Sequence, residues 1–191
     1  MNTVWVILAA IFADNFLLAR FFGIESFFSA SEKKSTSLWY GVLVTVVTVS
    51  AGTVAVVLNK FVFAPLNIEY MSTFVTALVI FSVICALHIL SKKVSEKAYK
   101  RMSESVPLLS TNCVVMGAVR LCADNSLSMG NSVLFLLAAG VGFTVALLIF
   151  SAVQERLENV SCVPSFKGLP ILLLSAAFAA MAFAGFAGIG A

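Results

Sequence analysis

Charge is what this sequence has least of. Only 11% of its 191 residues are Asp, Glu, Lys or Arg, against 61% hydrophobic, whereas a soluble domain carries about a quarter charged and about half apolar residues. Mean hydropathy is +1.05. There is too little polar side-chain surface to cover a water-soluble globule, so the chain reads as an integral, multi-pass membrane protein whose solvent is the lipid bilayer. The formal net charge is only +3. No Lys/Arg-rich arm with interleaved aromatics occurs, which argues against a nucleic-acid partner. The single histidine is His88, so a His-rich metal site lacks its residues. No nucleophile–base pair, Gly-rich phosphate loop or zinc motif is present either. The four cysteines, Cys85, Cys113, Cys122 and Cys162, form no CxxC pair and mostly lie in apolar segments. A secreted disulfide framework is therefore not expected. No Lys or Arg precedes Arg20, so the positive region of a secretory signal is missing, and the first segment is expected to stay in the mature protein.

What the chain has is long apolar runs. A spanning helix needs about 20 mostly apolar residues. Six stretches qualify: 3–22, 38–58, 71–90, 106–121, 133–153 and 170–189. The first is interrupted by Asp14, Asn15 and Arg20. The fourth is short and carries Pro107, Ser110, Thr111, Asn112 and Cys113. Gly140, Gly142, Ala176, Ala180, Gly185 and Gly188 mark the last two as close-packing faces, because small residues let helices approach where lipid supplies no hydrophobic drive.

Orientation follows from Lys and Arg in the loops. Lys33, Lys34, Lys92, Lys93, Lys97, Lys100, Arg101, Arg156 and Lys167 fall in odd-numbered loops, against Lys60 and Arg120 in even ones. The bias puts the odd loops in the cytoplasm and both termini on the outer face. The third loop reads as a partly helical cytoplasmic connector, and His88 as a helix-end residue.

An internal repeat is visible. Phe16-Leu17-Leu18 lines up with Pro107-Leu108-Leu109, and Thr53-Val54-Ala55 with Thr144-Val145-Ala146, both at an offset of 91 residues. The same offset divides six spans into three and three. Three is odd, so the second half enters the membrane from the opposite face. The expected fold class is all-α: six transmembrane helices as an inverted 3+3 repeat, with broken or half helices at segments 1 and 4. It forms a single membrane domain over 1–191, with repeats of approximately 1–91 and 92–191. Interrupted helices at matching positions of two halves point to a functional site near the midplane, because freed backbone groups cannot face lipid.

The site candidates sit at these two breaks. Cys113 is a soft ligand for metals and iron–sulfur clusters; a packed small hydrophobe is the default reading of such a residue, and of Cys85. Asn15 could cap or brace a half-helix. Asp14 lies either on an ion path or at an interface with water. Glu25 lies either at the site or at the membrane surface.

At these residues the sequence resembles a known family: the A subunit of the Rnf ion-translocating electron-transport complex and its counterpart, the E subunit of the Na+-translocating NADH:quinone reductase. The resemblance runs over nearly the whole chain. It rests on Asn15-Phe-Leu-Leu with Phe22-Gly-Ile24, on Val106-Pro-Leu-Leu-Ser-Thr-Asn-Cys113-Val-Val-Met-Gly117, on Gly140-Val-Gly-Phe143 with Gln154-Glu-Arg-Leu-Glu158, on Val163-Pro-Ser-Phe-Lys-Gly168, and on the closing 181–188. The resemblance implies a subunit of a ferredoxin- or NADH-linked oxidoreductase in a prokaryotic cytoplasmic (inner) membrane. It implies pairing with a homologous, oppositely oriented membrane subunit (RnfE/NqrD-like) within a larger assembly. It further implies an intramembrane [2Fe–2S] cluster shared by the pair, two cysteines from each, with electron flow coupled to Na+ or H+ movement. Cys113 matches the second-half ligand cysteine, with Thr111, Asn112 and Asn15 around it and Asp14 on a possible ion path.

The chain departs from the family's Gly-Ile-Cys-Pro-Phe, reading Gly23-Ile24-Glu25-Ser26-Phe27. Glu25 stands where the other ligand cysteine is found. A carboxylate is a harder ligand than a thiolate. Three arrangements are open: Glu25 ligates iron, another cysteine completes the shell, or the cluster is absent. The competing functions are a non-redox transporter or channel and an assembly subunit.

Overall fold

The computed structural model describes residues 22–23, 34–66, 69–94, 96–124, 128–158 and 167–185. Asp14, Asn15 and Glu25 lie outside the described residues, as does the first segment except for the Phe22-Gly23 turn. All regular structure among the described residues is helical. Helix α1 spans Lys34–Leu58 and runs on through a π-helical turn, Asn59–Phe63, and a last turn, Ala64–Leu66. Helix α2 spans Ser72–Val94, α3 Glu96–Ser110, α4 Cys113–Asp124, α5 Met129–Glu158 and α6 Leu169–Ala184.

Length and composition sort these helices by role. Three are long and apolar enough to cross a membrane: 28 residues from Thr36 to Phe63, 22 from Ser72 to Lys93, and 29 from Met129 to Leu157. At 1.5 Å per residue the longest is about 43 Å, more than the roughly 30 Å of a hydrocarbon core. Helices α3 and α4 form a further apolar pair, bent by 57° between Tyr99–Ser110 and Cys113–Cys122, the geometry of a broken span or a re-entrant loop. The break expected in the fourth segment is therefore present. The helical segment around it is longer than the expected 106–121, because helix already begins at Glu96, inside the basic stretch expected to be a partly helical connector.

That third connector is almost entirely helix: α2 carries Lys92 and Lys93 to its end, and α3 carries Lys100 and Arg101. Its hinge is tied by His88 stacked on Tyr99, with ring centroids 4.7 Å apart. Neither cation assigned to the even loops sits in a loop. Lys60 lies in the π-helical turn and Arg120 within α4.

The sixth segment is shorter than expected, with its helix bounded by Leu169 and Ala184. On α6 Ala176 is buried, Ala180 half-buried and Gly185 exposed, so among the described residues the expected small-residue face is only partly interior; Gly188 lies outside them. Cys85 is exposed on α2, on the side turned from the core, and so is not the packed hydrophobe expected. The fifth segment does pack as expected.

The core is built on α1 against α5. Tyr40, Val44, Val47, Ala51 and Ala55 are buried on α1 at helical spacing; Leu136, Ala139, Phe143, Leu147 and Phe150 answer them on α5. Val42, Val46, Val54 and Val57, on the other side of α1, are exposed. Valine stands on both faces, so hydrophobicity does not separate them; the close approach is made instead at the small residues of the buried side, Gly41, Gly52 and Ala51, as membrane helix packing favours.

Gly41 faces Thr144 and Gly140 faces Thr45, while Gly52 faces Leu136. As α1 runs forward its partner numbers fall, so the two helices are antiparallel. The Thr45 and Thr144 hydroxyls lie 3.2 Å apart, 99 residues apart in sequence. Each also lies 2.9 Å from the carbonyl one turn back, of Gly41 and Gly140 respectively. One proton each is enough: whichever hydroxyl donates across, the other donates to its own helix. Reciprocal Gly–Thr contacts of this kind are what a two-fold axis perpendicular to both helices produces. The structure opposes Thr144 with Thr45, not with Thr53, the residue matched to it by the repeat at offset 91.

The approach at Gly140 is the tightest backbone contact of the pair: a Cβ there would stand 2.8 Å from the Thr45 Cα. A main-chain atom cannot swing aside, so Gly140→Ala is expected to cost about 1–3 kcal/mol through overpacking. Thermal unfolding in detergent checks this against Ser50→Ala on α1, expected within about 0.5 kcal/mol of wild type. Equal midpoints for the two variants would contradict the close approach.

Candidate functional site

The break between α3 and α4 is two residues long, Thr111 and Asn112. Pro107, one turn before it, cannot donate a backbone hydrogen bond and weakens the helix that it interrupts. Leaving a helix frees carbonyls behind the break and N–H groups ahead of it. Inside a membrane each needs a partner.

The residues at the break supply them. Ser110 and Thr111 hydroxyls donate to the Pro107 carbonyl at 2.8 and 3.2 Å. The Asn112 N–H donates to the Leu109 carbonyl at 3.3 Å. The Asn112 Oδ1 accepts from the Val114 N–H at 2.9 Å, the N-cap geometry that Asn favours. Its Nδ2 donates to the Tyr40 hydroxyl at 3.1 Å. That hydroxyl in turn donates to the Leu108 carbonyl at 3.0 Å. Tyr40 and Asn112 are both buried, at 1% and 5% exposure, so these bonds do not compete with water.

Cys113 is the first residue of α4. Its thiol donates weakly to the Thr111 carbonyl at 3.6 Å and is exposed. It lines a cleft of about 500 Å³ between α2, the break and α4. Ala77, Ile80 and Phe81 form one wall, Met116, Gly117, Arg120 and Leu121 another, and Ser110, Thr111 and Asn112 the floor, with Phe22 alongside. Cys122 is different: it is buried, with Sγ 3.9 Å from the Ser132 carbonyl of α5.

The turn from the first segment closes against this break. Gly23 has φ +78°, a conformation that a side chain rarely adopts. A Cβ there would also stand 2.9 Å from the Asn112 Oδ1 and 3.2 Å from Phe143. Gly117 lies under the Phe22 ring, where a Cβ would stand 2.5 Å from the ring edge. Two stretches nearly ninety residues apart in the chain therefore meet at Asn112.

Of the sequence-derived candidates, Cys113, Thr111 and Asn112 come together here. Asp14, Asn15 and Glu25 fall outside the described residues. His88 lies at the α2–α3 hinge and does not line this cleft. The residue that sequence reasoning missed is Tyr40. The signal was a phenol among aliphatics, since a buried Tyr hydroxyl usually finds a partner; its place near the start of a span made an interfacial role equally natural. Among the described residues no group of three or more His, Cys, Asp or Glu could hold a metal ion.

An all-helical chain with long apolar spans, and a bent helix pair around a polar floor, is a multi-pass membrane protein. The profile of the Rnf-Nqr subunit, membrane protein family matches residues 3–190, and the chain belongs to that family. It is similar to the A subunit of the Na+-translocating ferredoxin:NAD+ oxidoreductase complex of Acetobacterium woodii, 32% identical over 99% of this chain and 98% of that one. The A subunit of the ion-translocating oxidoreductase complex of Syntrophotalea carbinolica is 35% identical over 98% of this chain and 97% of its own. That of Vibrio cholerae is 30% identical over 96% and 95%.

Two outcomes follow from this geometry. Asn112→Ala removes the cap and is expected to lower stability by roughly 0.5–2 kcal/mol, with Asn112→Ser, which keeps a capping oxygen, losing less; denaturation of the pair in detergent checks the order. Brief treatment of the folded chain with a small maleimide, read by peptide mass, is expected to modify Cys113 and Cys85 and to spare Cys122 until the chain is unfolded. Modification of Cys122 at the rate of Cys113 would contradict its burial.

Proposed function

We propose that this protein is a membrane subunit of an ion-translocating oxidoreductase complex, and that Cys113 supplies one ligand of a [2Fe–2S] cluster shared with a homologous, oppositely oriented subunit. Membership of the family and the names of the relatives support the first part. One observation carries the second: the Cys113 thiol stands exposed on the first turn of a half-helix, at the bend of a membrane-type span, beside the Phe22-Gly23 turn.

The donor set fits one corner of such a group, not the whole of it. A [2Fe–2S] cluster is usually held by four cysteines. The described residues offer the cleft one thiol, because Cys122 points to Ser132 on α5. An exposed thiol is open to a second chain. The remaining ligands then come from the partner and from the stretch that holds Glu25, two residues after Gly23. When bound, the cluster supplies one-electron transfer between carriers on the two sides of the bilayer. The chain's own residues hold Cys113 by capping its helix, while Thr111 and Asn112 set the hydrogen bonding around it, which tunes a site and orients its ligands. Coupling to Na+ or H+ movement runs along a path that includes Asp14. The reciprocal Gly–Thr contacts between α1 and α5 support an inverted repeat, and the Lys and Arg distribution supports termini on the outer face of a prokaryotic inner membrane.

Iron analysis and visible absorption of the purified complex test this reading. Wild type is expected to carry iron and a charge-transfer absorption that Cys113→Ala loses, with the complex still assembled. Iron content unchanged in Cys113→Ala would overturn the ligand assignment and favour a non-redox transport or assembly role.

A further inference from the structure

The least expected polar contact in the molecule is Tyr40. It belongs to α1, yet its hydroxyl reaches both sides of the break between α3 and α4: it donates to the Leu108 carbonyl at 3.0 Å and accepts from the Asn112 amide at 3.1 Å. Asn112 has two ends. One is held by Tyr40, and the other caps the Val114 N–H at 2.9 Å. Loss of the Tyr40 hydroxyl removes one of the bonds that hold the amide plane, and the cap on Val114 depends on that plane; the Gly23 turn packs closely on the Oδ1 side, where a Cβ would stand 2.9 Å away. The Tyr40 ring is itself fixed against Phe143 of α5, with centroids 6.3 Å apart at 60°. The phenol thus ties the start of α4 to the most extensively packed pair of helices in the chain.

We infer that Tyr40 is a positioning residue for Cys113: through Asn112 it fixes the direction in which the first turn of α4 presents the thiol to the cleft. It touches neither the thiol nor any bound group, and acts through one intervening side chain. The inference rests on the proposed ligand role of Cys113 for its functional meaning, but the positioning itself is testable without a cluster.

The test is a double-mutant cycle of Tyr40→Phe and Asn112→Ala in the full chain, read by amide hydrogen exchange over residues 113–116. Ser50→Ala serves as control: it removes a hydroxyl from the same helix, ten residues on, whose bonds run to the Val46 and Val47 carbonyls of α1 itself. Each of the two single variants is expected to speed exchange by roughly threefold or more, the size that one net hydrogen bond implies. The double variant is expected to be no faster than the faster single, because both cut one chain of contacts. Ser50→Ala is expected to leave these amides unchanged. In the purified complex, Tyr40→Phe is further expected to retain its iron but alter the electron paramagnetic resonance line shape of the reduced cluster.

Exchange in Tyr40→Phe equal to wild type would overturn the inference. So would effects that add in the double variant, which mean that Tyr40 only packs. If Tyr40→Phe does not fold, Asn112→Ala combined with Phe143→Leu, which loosens the ring's seat, reads the same coupling. The two claims fail separately: a wild-type complex without iron removes the cluster but leaves the exchange pattern standing, whereas a loaded complex with unaltered exchange removes Tyr40 alone.

Discussion

Backbone that leaves a helix inside a membrane must be satisfied by the protein itself, and the break at Thr111–Asn112 is organised by that demand. Local hydroxyls deal with the Pro107 carbonyl. They cannot reach ahead to the N–H groups of α4, so Asn112 turns its side chain forward as a cap. Its other end then needs an acceptor, and in lipid no water offers one. Tyr40 meets that need from a different helix, and in the same stroke takes up the Leu108 carbonyl. A local problem of unsatisfied backbone thereby becomes a tertiary contact, which is why the break is buried at Asn112 and open at Cys113.

That contact depends in turn on how α1 and α5 are held. Their antiparallel crossing is set by glycine facing threonine in both directions, with the two threonine hydroxyls meeting near the centre. The close approach puts Tyr40 and Phe143 side by side under the break. It also seats Phe143 beside Gly23, so the same aromatic pair supports the end of the first segment and the start of α4. Packing in the middle of the chain therefore brings the Phe22-Gly23 turn against the break between α3 and α4. Gly23 and Gly117 serve this meeting by what they lack: any side chain at either position would strike the opposite stretch.

Much of this was legible before the structure. Apolar runs marked the long helices because few charges interrupt them, and the crowding of Pro107, Ser110, Thr111 and Asn112 marked the break because no straight span tolerates it. The family resemblance of the Thr-Asn-Cys stretch singled out Cys113. The ends of helices were less legible. Lys92 to Arg101 read as a partly helical connector, and α2 and α3 carry helix through almost all of it, because charge marks the edge of the apolar run and not the end of the helix. Cys85 and the small residues of α6 misled for a related reason: in lipid an apolar residue is equally at home inside and outside, so hydrophobicity does not report burial. Tyr40 was legible only as a phenol among aliphatics. Its role is set by what lies across from it, and its partners are some seventy residues away.

The central claim is the meeting of the Phe22-Gly23 turn with the α3–α4 break. Phe22→Cys paired with Gly117→Cys, in a chain otherwise free of cysteine, replaces the ring that covers Gly117 with a thiol facing a thiol. Mild oxidation in the membrane, followed by peptide mass analysis, measures their proximity. The account predicts an intramolecular disulfide between positions 22 and 117. Two separately modifiable thiols, no more readily joined than Phe22→Cys with Leu173→Cys on the outer side of α6, would contradict it.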